Sequence, residues 1–429
     1  MIIMKKFHVI FKPRYLCVVT SFVVSVMIIS CSGPFADQYP KSFNMMIKNN
    51  TEQMRSDEVI TLDIADIKST HSDFNADAVI VLQADKELPS QINDLDRDGS
   101  GDKLVFLTDM KPGEHQSIVV RYNPEGEKQR SYIKRTQAEL SHKFGGKFVN
   151  RVYEGGTFKN VKELHVPPEH TDHSWFIRYE GPGWESDKVG YRFYLDWRNA
   201  TDIFGKKTHN MVLQNVGQDG FDSYHEMSEW GQDILKVGES LGIGSVGIWH
   251  NNKANRVAVT DSIYSVITAN GPIQSSVRTK YYGWKMDNFT TDLTVDLSIN
   301  AGSRETQCSL SLSQKPENIC TGIVKEDSVD ILKSDGQNGW QYFATYGKQS
   351  LAGDSLGMAI LYKSQDLINF EEDEFSNVLV LKPTSGKLDY YFLAAWEQEL
   401  DGLKNKKEFS KYLEEAIEKL NNPVEVTLN

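Results

Sequence analysis

Tyr224, His225 and Glu226, with Asp222 just ahead of them, put a phenol, an imidazole and two carboxylates within five residues. Such a set can take up a proton and return one when its members face a common cavity; a polar helix start capped by Asp222 is the competing reading. A second group, His170-Thr-Asp172-His173, offers imidazole and carboxylate, the common ligands of a metal. No H-x-x-x-H or H-E-x-x-H spacing supports a metal there, so proton transfer or hydrogen bonding is the expected role and no metal is required. Glu180 and Glu185 are a candidate carboxylate pair for glycoside hydrolysis. All of these lie in 165–250, which holds six of the ten histidines and five of the eight tryptophans: Trp175, Trp184, Trp197, Trp230 and Trp249. Imidazoles that carry protons near neutrality, flat aromatic faces and bidentate arginines suit a carboxylated, sugar-like ligand. A tryptophan-rich core whose histidines satisfy buried partners accounts for the same composition.

The segments that carry these groups alternate like strands. In 190–198, Tyr191, Phe193, Leu195 and Trp197 share one parity, and Arg192, Tyr194, Asp196 and Arg198 the other. As a strand this buries the aromatic face and presents the arginines, Tyr194 and Asp196 on the opposite one. Segment 174–180 reads the same way, with Arg178 and Glu180 opposite Trp175, Ile177 and Tyr179. Gly181-Pro182-Gly183 is a turn that presents Trp184. Further alternating runs are SVRTKYYGWKM and DLTVDLSI, followed by GMAILY and NVLVLK. Strands at short spacing without regular βα alternation predict an all-β body, a large antiparallel β-sandwich over 151–429. One helix is expected, Lys406–Asn421, because Phe409, Leu413, Ile417 and Leu420 recur at helical spacing and Pro423 follows. The G-x-G-x-x-G over 242–247 leads into IWHNNKANRVAVT, a strand and turn rather than a helix, so it is a glycine bend and not a dinucleotide site.

Ahead of the body, EVITLDIADI, AVIVLQAD and SIVVRY predict a small β-rich N-terminal domain over 41–125. A Lys- and Glu-rich linker with a short helix follows over 126–150. Within the N-terminal domain, Asp94, Asp96 and Asp98 followed by Gly99 imitate the opening of a calcium loop. Its twelfth position is Val105 rather than a bidentate glutamate, so a solvated turn competes with a structural Ca²⁺. Residues 1–30 read as an export signal: Lys5, Lys6, Lys12 and Arg14 precede an apolar stretch that ends in Ser30-Cys31. That ending resembles a lipoprotein processing site, with lipid on Cys31 and a tether over 31–40. The expected location is an outer-membrane or periplasmic lipoprotein, facing the periplasm and touching the membrane only through its lipid. Of the four cysteines, Cys308 and Cys320 then remain for an expected disulfide in an oxidising compartment. The formal charge of −12 becomes −12 − 4 = −16 once the four signal cations are removed, which excludes non-specific nucleic-acid binding.

YEGPGWESDKVGYRFYLDWRNATDIFGKK and DGFDSYHEMSEWGQDILKVG resemble a family of secreted Bacteroidetes proteins from polysaccharide-utilisation loci, long described as a domain of unknown function. The resemblance extends over most of 40–428 and includes the DLDRDG loop. One member of that family is associated with oligosaccharide dehydration during breakdown of ulvan, a polymer of uronic acids and sulfated rhamnose. The resemblance implies a galactose-mutarotase-like supersandwich that removes water across C4–C5 of a non-reducing-end uronic acid, leaving an unsaturated sugar. Chemistry then proposes the roles. Arg178 and Arg192, with Tyr194, bind the carboxylate; His225, then His173, is the base; Tyr224 is the acid; Trp184 and Trp230 stack on sugar faces. A non-catalytic carbohydrate-binding lipoprotein and a hydrolase using Glu180 and Glu185 are the alternatives.

Overall fold

The computed structural model describes residues 35–127, 130–219 and 223–428. The export signal, Cys31 and Asp222 lie outside them. The chain folds as the all-β antiparallel sandwich that its alternation implies, and every strand ladder among the described residues is antiparallel.

Its largest layer is a nine-stranded sheet. Its longest strands, Gln274–Met286 and Phe289–Asn300, pair side by side and continue through Glu305–Leu312 and Lys387–Trp396 to Ser355–Lys363. In Phe289–Asn300 the inward residues Leu293, Val295, Leu297 and Ile299 are buried while the residues between them are not, the period-two pattern of a sheet with one covered face. Two five-stranded sheets cover that face. One joins Gly231–Asp233, Thr201–Lys206, Val189–Phe193, Gly183–Ser186 and Thr136–Glu139; the other is built around Ile319–Val324 and Ser376–Leu381. Trp184, Tyr191, Trp284, Tyr390, Phe392 and Trp396 belong to the core enclosed between the layers. The helix Lys406–Asn421 forms over the expected residues, begins on an Asn405 cap, and lays Phe409 and Leu413 against Tyr346, Ala359 and Leu361 on the outer face of the large sheet.

Residues 41–122 build a second, smaller sandwich with its own core of Met45, Ile47, Ile60, Val81, Phe106 and Val120. The C-terminal strand Glu425–Leu428 returns to pair with Lys41–Lys48, so the two ends of the chain share one sheet.

Several local expectations are corrected. The run EVITLDIADI is a strand only to Asp63; Ile64–Thr70 is helical, because Ile64 and Ile67 then bury one face at helical spacing. The 126–150 segment holds no helix among its described residues: Thr136–Glu139 is a buried strand of the covering sheet, and Ser141–Val149 begins a hairpin with Val152–Asn160. The strand around Arg192 ends at Phe193, and Trp197 is 43% exposed rather than core. Segment 174–180 is a bend ending in a short 3-10 turn. Cys308 and Cys320 are free thiols and form no disulfide. Strand parity sends Cys308 into the main core, while Cys320 packs with Leu241, Val378 and Val380 in a separate cluster. Burial raises the pKa of both thiols.

Candidate active site

Beyond Phe193 the chain leaves the sheet, turns at Asn199 and re-enters at Thr201. This hairpin puts Asp202 opposite Arg192 on the neighbouring strand. Arg192 is 1% exposed. Its Nε and Nη2 donate to Asp202 Oδ2 at 3.0 and 2.7 Å, Nη2 also to Asp233, and Nη1 to the Tyr224 hydroxyl at 2.8 Å. The rings of Tyr194, Phe204 and Tyr224 stack around the guanidinium. Burial together with the neighbouring Asp202 drives the Asp233 pKa well above the carboxylate range, against the pull of Arg192.

Above this core lies a small mouth. Tyr224, His173, Trp175, Glu180, Gly217 and Phe158 line a cavity of about 20 Å³. Left-handed backbone marks the segment that supplies His173, Trp175 and Glu180 to it. His173, Trp175, Tyr179 and Glu180 all have φ between 38° and 69°, a conformation costing on the order of 1–3 kcal/mol per non-glycine residue. Such outliers cluster at functional sites. Glu180 Oε1 accepts the His173 backbone N–H at 3.0 Å and lies 2.9 Å from Arg198 Nη2. Burial opposes its ionisation, but Arg198, Arg192 and that N–H overcome the penalty and lower its pKa. Neighbouring Asp172 moves the opposite way: burial and the Glu180 charge raise its pKa, outweighing Arg198. Oppositely shifted carboxyls this close behave as a pair that holds one proton. Beside Tyr224, with ring centroids 4.6 Å apart, stands His225, whose Nε2 lies 3.4 Å from the buried Asp233. Burial first, then Glu180 and Asp233, raises the Tyr224 pKa against Arg192, so the phenol keeps its proton at neutral pH.

Of the residues singled out from sequence, His173, Tyr224, His225 and Glu180 gather here. Most of the others are corrected. Arg192 is buried and turns its fork to Asp202 and Asp233, so it does not clamp a substrate carboxylate. Arg178 is fully buried, paired with Glu139 and bonded to the Gln214 carbonyl at 3.1 Å. Tyr194 is buried and donates to Asp202. Trp184 has no exposed surface; its indole N–H bonds Thr306 at 2.9 Å and its ring stacks on Tyr191. Trp230 is half-buried, edge-on to Phe204. Glu185 is buried, bonded to Lys206 and to the Val212 and Leu213 N–H groups, and is no partner for Glu180 in hydrolysis. Of the calcium candidates, Asp94 and Asp96 draw together with Asp102, while Asp98 bonds the Ser100 N–H.

Sequence reasoning missed the rim. Trp197 is exposed, with the Arg256 guanidinium over its ring at 5.0 Å. Arg256 donates to the Ser240 carbonyl but pairs with no carboxylate within 4 Å among the described residues. Its guanidinium and Arg198 are electrostatic neighbours. This leaves an arginine available to an anion and an aromatic face available to a sugar, both beside the acid–base cluster. The only signal for Arg256 in the sequence was a cation following a glycine bend, which is too common to single out.

A family model described as "Domain of unknown function (DUF4861)" matches residues 47–426. "Uncharacterized protein P7" of Formosa agariphila is 24% identical over 407 residues, covering 89% of this chain and 92% of that one. Two solved Enterococcus faecalis structures are similar in outline. One is an alpha-mannosidase at 12% identity and TM-score 0.45; the other is a protein of glycosyl hydrolase family 38 at 10% and 0.44. Each match covers 90% of this chain and spans about half of the larger structure, 46% and 47% respectively.

Proposed function

This chain belongs to the family Domain of unknown function (DUF4861), and we propose that its mouth is the active site of a carbon–oxygen lyase acting on uronic-acid oligosaccharides, such as those from ulvan. The reading rests chiefly on one observation: an imidazole and a proton-bearing phenol stand side by side, the imidazole beside Asp233 and the phenol bonded to Arg192. His225, oriented by Asp233, takes the proton from C5 of the terminal uronic acid. Tyr224 gives its proton to the C4 hydroxyl, which departs as water, and the C4–C5 double bond forms. The Arg192 guanidinium then steadies the charge left on the Tyr224 oxygen. Arg256 pairs with the substrate carboxylate, whose enolate-like charge grows as the proton leaves, and Trp197 stacks on a sugar face. The protein works as a periplasm-facing lipoprotein held through Cys31, and no cofactor is required for the proton transfers.

The oppositely shifted Asp172 and Glu180 favour a second reading, glycoside hydrolysis. Incubating the folded protein with oligosaccharides ending in a uronic acid separates these cases. Loss of one water with a new ultraviolet chromophore supports the lyase. New reducing ends without a chromophore would replace it with a hydrolase, and binding without turnover would leave a carbohydrate-binding module.

A further inference from the structure

We infer that Asp172, His173 and Glu180 form a binding site for one divalent transition-metal ion in the floor of the mouth. One ligand atom of each lies within 4.8 Å of the other two, and His173 Nε2 is 3.5 Å from Asp172 Oδ1. Glu180 is only 5% exposed, yet its Oε2 makes no hydrogen bond. Buried carboxylate oxygens are nearly always partnered. Arg192 Nη1 stands off from it at 3.9 Å. Asp172 Oδ1 makes no hydrogen bond either, although Arg198 Nη2 lies 3.0 Å away. Arg198 neutralises one side of this pair, and an ion between the two carboxyls would satisfy the oxygens that it leaves.

The surroundings fit an ion. The His173 N–H and Arg198 hold Glu180 by its other oxygen, Oε1, as outer partners hold metal-ligating carboxylates. The cavity of about 20 Å³, lined by His173 and Glu180, has room for a single ion or water. Carboxyls outnumber guanidinia in the cluster: Asp172, Glu180, Asp196 and Asp202 surround Arg192 and Arg198. An imidazole with two carboxylates selects a first-row transition ion such as Zn²⁺ over Ca²⁺ or Mg²⁺, which prefer all-oxygen shells. Three protein ligands leave open positions toward the mouth, suited to a carboxylate oxygen. That last use rests on the uronic-acid reading; metal binding does not.

The test is titration of the full-length, chelator-treated protein with Co²⁺, followed by its visible spectrum, and with Zn²⁺ by calorimetry. One equivalent should bind. Loss of an outer-shell partner costs 10–100-fold in affinity, so loss of a ligand in His173→Ala should cost about 100-fold or more. His173 is exposed, so this variant should keep its circular dichroism and melting temperature. Glu180→Gln should weaken binding in the same direction, and Asp94→Asn should not change it. Absence of stoichiometric binding, unchanged affinity in His173→Ala, or loss of binding in Asp94→Asn would overturn the site. Stoichiometric metal without any product from uronic-acid oligosaccharides overturns the lyase alone. Full lyase activity in a protein that binds no metal overturns the metal site alone.

Discussion

Replacing Arg192 with lysine separates a structural arginine from a substrate-binding one. Arg192 makes four donations to three partners, two of them carboxylates, at 1% exposure. A lysine ammonium keeps the charge but cannot reproduce the planar fork, so at least two charge-assisted bonds are lost. At about 1.5–3 kcal/mol each, the loss is about 3–6 kcal/mol, close to the roughly 3–5 kcal/mol found when a buried ion pair is broken. Against a total stability of 5–15 kcal/mol for typical domains this is a large fraction. With a urea slope of about 3 kcal/mol/M, the unfolding midpoint should fall by about 1 M or more. Equilibrium urea unfolding followed by tryptophan fluorescence reads this directly, and a parallel assay on the folded protein reads turnover. A wild-type midpoint combined with a 10²-fold loss of kcat/KM would refute the reasoning, because it would mean that the fork serves the substrate and not the fold.

His225→Ala should lower kcat by about 10²–10⁴, the usual worth of a general base, with little change in melting temperature, since the side chain is partly exposed; a stability loss with full activity would count against the assignment. Trp184→Ala should cost about 3–5 kcal/mol of stability as a cavity-forming core change, whereas Trp197→Ala should leave stability nearly unchanged and raise KM, which unfolding and steady-state assays distinguish. Burial lowers the pKa of His170 below its ordinary 6.5. The unfolded chain therefore binds the extra proton first, and the associated stability is present above pH 6.5 and lost as the pH falls toward the folded pKa; His170→Gln should flatten the melting temperature measured between pH 7.5 and 5. Cys308 and Cys320 should resist a thiol reagent in the folded protein and react fully after denaturation without any reductant; a requirement for reductant would restore the disulfide.

The period-two alternation of 274–300 and the helical spacing of 406–421 could be read without a structure, because each depends on side chains a few positions apart meeting one covered face. The gathering of His173, Glu180, Tyr224 and His225 was visible only as a density of reactive types. Their arrangement depended on contacts between residues far apart in the chain and on left-handed residues that no pattern announces. Parity misled at Arg192: it separated polar from apolar side chains correctly but could not tell that the polar face was itself buried. That face meets Asp233 and Tyr224, supplied by segments thirty to forty residues further along. The same limit applies to Trp184 and Trp197. Composition marks both as large aromatics, but Trp184 lies in a strand covered by the nine-stranded sheet, and Trp197 lies on a turn that leaves it. Local sequence sets the period of each strand and helix; which face is covered, and by which distant segment, is decided by how the layers close.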